Sequence, residues 1–286
     1  MALTADLTRT ALRLTSRIAP SLAVSAALPS FRRPHTSARP RPDEEALMRA
    51  ARRETVSVDG RDVVVFRWGN GERPVLFLHG WMFRTSRFVP LVRALTERGY
   101  SPVGFDAPGH GESSDGETTI LQYGDMARRL APDDGHYEAV VGHSLGGLAA
   151  FWALREEVTA TRLITLAPIP DLTHLVDSFC AGAGLTGRAK DVLRTHVEED
   201  IFAGVPNVWE RFSATYRPAR LTLPILVVHD EDDDVIPVAH ARRIADTYGS
   251  QADLLITRGL GHRRILADPQ VIEGVLDFVS ATDPVR

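Results

Sequence analysis

Cysteine is almost absent from this chain of 286 residues, which contains only Cys180. A single thiol cannot form an internal disulfide, so the fold cannot depend on a disulfide framework. The sequence around Cys180 is unlike that of a catalytic cysteine, and we interpret it as a structural thiol. Low cysteine content is typical of a reducing compartment, and we therefore expect a cytoplasmic protein.

Long apolar runs are also lacking. No stretch of about 18 or more apolar residues is present, so no membrane-spanning helix is expected. A large excess of charge of either sign is missing as well, because the net charge is −4. The overall balance therefore gives no indication of a nucleic acid or an anionic membrane as partner.

The charge is unevenly distributed along the chain. Residues 1–53 contain 10 arginines and 4 acidic residues, an excess of +6, whereas the remainder has an excess of −10. Two interpretations of the basic beginning stay open. It resembles a targeting leader, or it is an amphipathic helix that lies against the main domain or on a membrane surface. The apolar positions of that helix are Leu7, Leu12, Leu14 and Ile18.

The first part of the chain has few strand signals. Residues 29–42, rich in proline and arginine, are interpreted as an extended linker, and residues 42–54 as a short helix with acids first and arginines last. From residue 56 the pattern indicates two strands joined at Asp59-Gly60, which is a strong hairpin signal.

Apolar strands then alternate with amphipathic helices. The strand segments begin at residues 74, 101, 137, 161, 223 and 252. This alternation predicts an α/β protein with a mostly parallel, doubly wound sheet covered on both faces. Residues 169–222 contain no apolar strand and are predicted to form a helical insertion. The predicted organisation is an N-terminal basic segment over 1–55, a core over 56–168 and 223–286, and the insertion.

The segment Gly142-His143-Ser144-Leu145-Gly146 lies between an apolar strand and a helix. Glycines on both sides of a serine remove steric clashes where a nucleophile stands on a sharp strand-to-helix turn. The following helix offers free N–H groups to a developing oxyanion. This context makes Ser144 the candidate nucleophile.

A serine hydroxyl needs a base, and the base needs an orienting carboxylate. His262 follows the last predicted strand and is the candidate base. The acids 230–234 follow the strand before it. An acidic run is usually a solvated loop or a metal site, but the nearby histidines lack a ligand spacing. We therefore expect no metal, and assign one of these acids as the partner of His262.

Together these motifs resemble the α/β-hydrolase superfamily, over residues 56–280. "LHGW" resembles its oxyanion loop, "FDAPGHGES" the loop after the next strand, "GHSLGG" the nucleophile elbow, "HDEDDDVIP" the acid loop and "GLGHRRIL" the histidine loop. The acid loop of the family is written G-x-x-D-x-x-x-P, which selects Asp233 by its distance from Pro237. Asp230 stands where the family often has glycine. Because this departure affects the register of the acid loop, Asp232 is the second choice for the acid. The insertion corresponds to the variable cap of the family.

The resemblance implies a serine esterase or lipase-like enzyme. Ser144 would attack a carbonyl carbon, His262 would transfer the proton, and Asp233 would orient His262. The backbone N–H groups of Trp81 and Leu145 would form the oxyanion hole. It also implies that no metal or organic cofactor is needed and that the partner is a small molecule with an acyl group. The aromatic residues of the insertion favour an apolar group on that molecule, and packing of the insertion helices on the core is the alternative interpretation of these residues.

Two further residues are candidates for the substrate pocket. Met82 directly follows the oxyanion turn, and His143 adjoins the serine. For His143, a structural role in the turn is the alternative interpretation. Asp106 and His110 are interpreted as loop-structure residues.

Carboxylic ester hydrolysis is the leading hypothesis, and other functions stay open. The same three side chains support thioester, lactone, amide or C–C bond hydrolysis, acyl transfer and cofactor-free peroxidase chemistry. Dehalogenase and epoxide-hydrolase relatives carry aspartate at the nucleophile position, and Ser144 argues against both. A hydrolase-like binding protein is the non-enzymatic alternative.

Overall fold

The computed structural model describes residues 2–34, 39–156 and 158–281. Eight strands form one sheet in the order β1-β2-β4-β3-β5-β6-β7-β8. The strands are β1 (Arg52–Val58), β2 (Arg61–Arg67), β3 (Pro74–Leu78), β4 (Ser101–Phe105), β5 (His136–His143), β6 (Thr159–Leu166), β7 (Ile225–Asp230) and β8 (Ala252–Thr257). Strands β3 to β8 pair in parallel, and β2 pairs antiparallel with both β1 and β4. This confirms the predicted mostly parallel α/β sheet.

Helices cover both faces of the sheet. They are α1 (Ala2–Ile18), α2 (Pro20–Arg32), α3 (Pro42–Ala50), α4 (Val89–Glu97), α5 (Ile120–Arg129), α6 (Leu145–Glu156), α7 (Leu172–Ala183), α8 (Arg188–His196), α9 (Val208–Arg211), α10 (Ala239–Tyr248), α11 (Gly261–Arg264) and α12 (Pro269–Ser280). Short helical turns lie at Thr85–Phe88, Val197–Ile201, Pro218–Arg220 and Gly249–Gln251. None of the helices in the described part of the chain is both long and apolar enough to cross a bilayer.

The hydrophobic core lies on the two sides of the sheet. On one side, Met126 of α5 and Phe151 of α6 are fully buried in a cluster that also includes residues of α2, α7 and α8. On the other side, Leu91 of α4 and Val275 of α12 are buried against the opposite face. Both faces of the central strands are therefore apolar, as expected for parallel strands with helices above and below.

The predicted hairpin at Asp59-Gly60 is confirmed. Val58 pairs with Arg61, and both turn residues have positive φ, 50° at Asp59 and 73° at Gly60. These angles match the tight turn that the right-handed twist of paired strands favours. The first strand begins earlier than predicted, at Arg52, because the arginines there continue the pairing with β2.

The linker prediction is wrong at its beginning. Residues 29–32 continue helix α2, which contains Pro29. The ring of Phe31 packs edge-on against Phe179 of α7, with 4.9 Å between the ring centroids. This packing outweighs the local preference of proline and arginine for extended chain. Residues 35–38 of the predicted linker lie outside the described residues.

The predicted helical insertion between β6 and β7 contains helices α7, α8 and α9. It packs against the N-terminal helices, since α2 contacts α8, and α1 contacts both α7 and α8. We propose that the insertion and the N-terminal helices together form the cap above the sheet.

The sheet order places a topological switch between β3 and β5. Strand β3 leads through α4 to β4 on one side, and β5 leads through α6 to β6 on the other. Leu78 of β3 is paired with Gly142 of β5, so the segments that follow these strands emerge side by side. Ligands of open α/β sheets bind at such a crevice.

Gly146 is required for the close approach of α6 to β3. A Cβ atom on this residue would lie 1.9 Å from the carbonyl oxygen of Leu78. We expect Gly146→Ala to lower the free energy of unfolding by about 1–3 kcal/mol, because the helix must shift away from the sheet. Urea denaturation measures this change.

Gly182→Ala is the matched control. Gly182 lies inside α7, and a Cβ atom added there would have no neighbouring atom of the described residues within 4 Å. This variant should be neutral or gain up to about 1 kcal/mol from the higher helix propensity of alanine. Equal stabilities for the two variants would contradict the close approach.

Candidate active site

Ser144 lies at the turn between β5 and α6, in a backbone conformation that side chains rarely adopt. Its φ angle is +54°, and its N–H donates to the carbonyl oxygen of Leu166 at 3.0 Å. A Cβ atom at Gly142 would lie 2.5 Å from the carbonyl oxygen of Gly146. Only glycine fits there, because the chain folds back on itself within four residues. The strain holds the hydroxyl above the end of the sheet.

Three side chains from separate loops form a continuous hydrogen-bonded series. Nε2 of His262 lies 3.1 Å from Oγ of Ser144, and Nδ1 of His262 lies 2.8 Å from Oδ2 of Asp233. These distances are those of ordinary hydrogen bonds. All three residues are at most 9% exposed. The arrangement can deprotonate Ser144 through His262 while Asp233 fixes the imidazole.

Asp233 is held as a carboxylate. Its Oδ1 accepts the N–H groups of Val235 and Ile236, both at 2.8 Å, and its Oδ2 also lies 3.3 Å from Nε2 of His229. Burial alone raises the pKa of Asp233, but the hydrogen bonds from His229, His262 and Ile236 outweigh it and hold the pKa well below its usual range. The carboxylate therefore stays ionised beside His262.

Asp232, the second choice from the sequence, faces elsewhere. Its Oδ2 accepts the N–H of Gly259 at 2.8 Å. Of these two acids, Asp233 is the one in hydrogen-bond contact with His262. The register counted back from Pro237 thus selects the acid that meets the imidazole.

Asp230 ties the acid loop to the histidine loop. Its Oδ1 accepts the N–H groups of Asp232 and Gly261, and its Oδ2 accepts the N–H of Leu260 and the hydroxyl of Thr257, all within 3.1 Å. Burial raises its pKa, but these four donors outweigh burial and lower the pKa. The departure from glycine at this position therefore has a structural use, because the side chain fixes the residue before His262.

The two predicted oxyanion donors lie on adjoining backbone segments. Leu145 is the first residue of α6, and the first N–H groups of a helix have no partner within it. A Cβ atom at Gly80 would be 3.0 Å from Cβ of Ser144, so the turn containing Trp81 runs directly beside the elbow. Both Trp81 and Leu145 border the same cavity as Ser144.

The turn that carries Trp81 is supported from behind. The N–H of Phe83 donates to the carbonyl oxygen of Gly80, and the N–H of Met82, with φ at +58°, donates to Nε2 of His110 at 3.1 Å. Asp106 is fully buried and accepts the N–H of Thr85 at 2.8 Å. These contacts agree with the interpretation of Asp106 and His110 as loop-structure residues.

Met82 and His143 are corrected as pocket residues, since neither borders the cavity. Met82 is 40% exposed, and its backbone has a positive φ of 58°. His143 is fully buried beneath the elbow, and its Nε2–H donates to the carbonyl oxygen of His262 at 2.9 Å. The structural interpretation of His143 is the one that its position supports.

A cavity of about 360 Å³ opens above Ser144 and His262. Its walls are mostly apolar and come from the core, the insertion and helix α2. The apolar residues that border it include Phe31, Trp81, Phe83, Ile120, Leu172, Leu175, Phe179, Ile201, Phe202, Val235 and Ile236. A cavity of this size accommodates a small organic ligand.

Helix α2 is the part of this site that sequence reasoning missed. Ser30, Phe31 and Arg32 border the cavity, and Arg32 forms an ion pair with Glu117 at 2.5 Å. The proline and arginine content of this segment indicated a linker. The sequence signal for the contact of this segment with the cavity was Phe31, an aromatic residue among charged ones.

Comparison with known proteins identifies the class of protein. A model of the alpha/beta hydrolase family matches residues 75–275, which is more than half of the chain. The chain belongs to this family. Helices α1 and α2, and therefore one wall of the cavity, lie outside the matched residues.

Similar proteins include enzymes of more than one activity. A non-heme haloperoxidase from Rhodococcus erythropolis is 24% identical over 268 residues, which cover 78% of this chain and 97% of the relative. Mouse alpha/beta hydrolase domain-containing protein 10 superposes with a TM-score of 0.61 at 18% identity, over 80% of this chain and 97% of its own. The structure of an esterase from Rhodococcus sp. ECU1013 superposes with a TM-score of 0.57 at 20% identity, over 81% of this chain and 98% of its own.

Three histidines near the site are held neutral by burial. Burial lowers the pKa of His79 to about 4, and the pKa values of His110 and His143 to about 3. Each has a hydrogen bond that a neutral ring satisfies. Nε2 of His79, for example, accepts the N–H of Ala107.

The stability of the protein should therefore fall in mild acid. Below pH about 6.5 the unfolded chain binds protons at these positions before the folded chain does, so the free energy of unfolding decreases until the folded pKa values are reached. Each group contributes a slope of up to about 1.4 kcal/mol per pH unit. Urea denaturation between pH 6.5 and 4.5 should show this decrease.

The variant His110→Gln separates this effect from general acid denaturation. Its amide oxygen can still accept the N–H of Met82, but the side chain does not titrate, so the slope should fall by about the contribution of one group. His136→Gln, at an exposed position of β5, is the matched control. An unchanged slope in His110→Gln would show that this histidine is not held neutral.

Proposed function

We propose that this protein is a serine hydrolase that cleaves a carboxylic ester with an apolar acyl group. The observation that carries the proposal is the hydrogen-bonded series Asp233–His262–Ser144 at the floor of an apolar cavity. The nucleophile, the base and the orienting carboxylate are each within hydrogen-bond distance of the next, as this chemistry requires.

The first half of the reaction forms an acyl-enzyme. Oγ of Ser144 attacks the carbonyl carbon of the ester while Nε2 of His262 accepts the hydroxyl proton. The tetrahedral intermediate collapses, the C–O bond to the alcohol breaks, and His262 returns the proton to the departing alkoxide. Asp233 stabilises the imidazolium that exists between these two transfers.

The second half releases the acid. A water molecule takes the place of the alcohol, loses a proton to Nε2 of His262 and attacks the acyl carbon. Collapse breaks the bond to Oγ of Ser144, which regains its proton from His262. The products are a carboxylic acid and an alcohol, and the side chains return to their starting states.

The N–H groups of Trp81 and Leu145 are proposed to bind the oxyanion in both halves. They adjoin Ser144 from two sides, one on the turn after β3 and one at the N-terminus of α6, where the helix dipole adds positive potential. Such donors typically contribute about 3 kcal/mol each to transition-state stabilisation.

An ester with an apolar acyl group fits the cavity better than a charged or short one. Its walls include the rings of Phe31, Phe179 and Phe202. The esterase from Rhodococcus sp. supports ester chemistry on this fold, and the haloperoxidase shows that a related sequence serves another reaction. Thioesters, lactones and amides are the alternatives on the same side chains.

The side-chain assignment is tested by three variants assayed on p-nitrophenyl esters. Ser144→Ala should abolish turnover, and Asp233→Asn should lower kcat by about three to four orders of magnitude, because the imidazole loses its orienting charge. Asp232→Asn is the matched control and should stay within a few-fold of the wild type. Equal losses in both aspartate variants, or full activity of Ser144→Ala, would contradict the assignment.

The substrate class is tested by the acyl chain length. Each methylene that enters the apolar cavity contributes about 0.8 kcal/mol, so kcat/KM should rise about threefold to fourfold per methylene from acetate until the cavity is filled. Phe31→Ala should move the optimum to longer chains, since it enlarges the cavity.

Phe278→Ala, on α12 and outside the cavity, is the control for that shift. Thioester and lactone substrates are assayed in parallel. Acetate as the best ester, or thioesters or lactones cleaved at higher kcat/KM than every ester, would argue against the proposed substrate class.

A further inference from the structure

Helix α1 directs its most apolar side away from the protein. Leu7, Leu14 and Ile18 are 65%, 55% and 85% exposed. Their spacing of seven and four residues places them on one side of the helix. Leu22, in the first turn of α2, is 63% exposed and extends the same apolar segment along the chain. We call these four residues the apolar stripe.

The inward side of α1 is less apolar than the outward side. Ser16 is buried there, with its hydroxyl bonded to the carbonyl oxygen of Leu12 at 2.7 Å, and Leu12 itself is only half-buried. A helix that only packs on its own domain has the opposite arrangement, with its apolar side inward. Grouped exposed apolar side chains mark a surface that binds something else.

The charges near the stripe specify what it binds. Arg9, Arg13 and Arg17 lie on α1, and the sequence of this helix contains a single acid. Residues 1–53 have an excess of +6, while the rest of the chain has an excess of −10. An anionic surface attracts residues 1–53 and repels the rest of the chain. It therefore orients the molecule with α1 toward the surface.

Two of the three other exposed apolar side chains, Met82 and Val235, lie close to the candidate site, and the third, Leu254, lies on β8. Seven large apolar side chains are exposed in the described part of the chain, and four of them form the stripe. Met82 follows Trp81, and Val235 borders the cavity. Helix α1 packs against α2 and α7, which both contribute residues to the cavity wall. A surface bound at the stripe is therefore separated by α1 from the helices that form the cavity wall.

We propose that helix α1 and the start of α2 bind an anionic lipid surface, with α1 lying in the plane of the interface. The apolar stripe enters the boundary between headgroups and acyl chains, and Arg13 and Arg17 contact the anionic headgroups. This attachment does not depend on the proposed hydrolysis. It explains why an amphipathic helix that packs on the wall of an apolar cavity leaves its apolar side uncovered.

Sedimentation with vesicles tests the proposal. The full chain is mixed with vesicles of phosphatidylcholine containing about 30% phosphatidylglycerol at about 0.05 M NaCl, and with vesicles of phosphatidylcholine alone. We expect binding to the anionic vesicles that weakens at high salt. Leu14→Gln/Ile18→Gln should lower the partition coefficient at least about tenfold, because two inserted side chains are lost.

Arg13→Gln/Arg17→Gln should lower binding to anionic vesicles by about tenfold or more, since each arginine near the surface contributes about a fivefold factor. The matched controls are Leu254→Gln, an exposed apolar position on β8, and Arg93→Gln/Arg98→Gln, in the middle of α4 and directly after it. Both controls should bind as the wild type does. All variants change exposed side chains, and thermal melting checks that they fold.

Three results would overturn the proposal: no binding of the wild type to anionic vesicles, an equal loss in the control variants, or a dimer in lipid-free buffer that Leu14→Gln/Ile18→Gln dissociates. The last result would assign the stripe to a second copy of the chain. Turnover of a soluble ester by the stripe variants should equal that of the wild type, so failure of lipid binding and failure of the hydrolase proposal remain distinguishable.

Discussion

The hydrogen bond between Nδ1 of His262 and Oδ2 of Asp233 joins the acid loop to the histidine loop through the side chains on which the proposed chemistry depends. Its geometry depends on Asp230, which binds the backbone on both sides of the gap and so fixes the distance between the acid loop and the histidine loop. The imidazole in turn reaches Ser144 only because β5 and β8 end at the same edge of the sheet. A small change in either loop would separate the three side chains, and the proposed chemistry would fail with them.

The site combines strain, burial and close backbone approach, and each has a compensating contact. Ser144 has positive φ, and its N–H is bonded to β6. His143 and His110 are buried as neutral rings that hold backbone groups of the neighbouring loops. The cost of these features is a loss of stability in acid. The benefit is that the elbow and the turn carrying Trp81 are positioned before any substrate binds, as the proposed electrostatic stabilisation of an oxyanion would require.

The sheet and the main loops could be predicted because their signals are local. Alternating apolar segments indicated the parallel strands, and short motifs at strand ends indicated Ser144, Asp233 and His262. The wall formed by Phe31 could not be predicted, since it depends on packing against Phe179, a contact across 148 positions of sequence. The positive φ of Met82 could not be predicted either, because no residue pattern reveals it. The structural role of Asp230 could not be predicted either. In the sequence this residue is only a departure from the glycine of the family, and its four hydrogen bonds form only when both loops are in place.

The central claim is that Ser144 is an activated nucleophile, and covalent labelling with a fluorophosphonate tests it most directly. The account predicts one adduct per chain, located on Ser144 by peptide mass spectrometry, with labelling slowed strongly in Asp233→Asn and absent in Ser144→Ala. A folded wild-type protein that stays unlabelled, or that is labelled at another residue, would contradict the claim and favour a hydrolase-like binding protein.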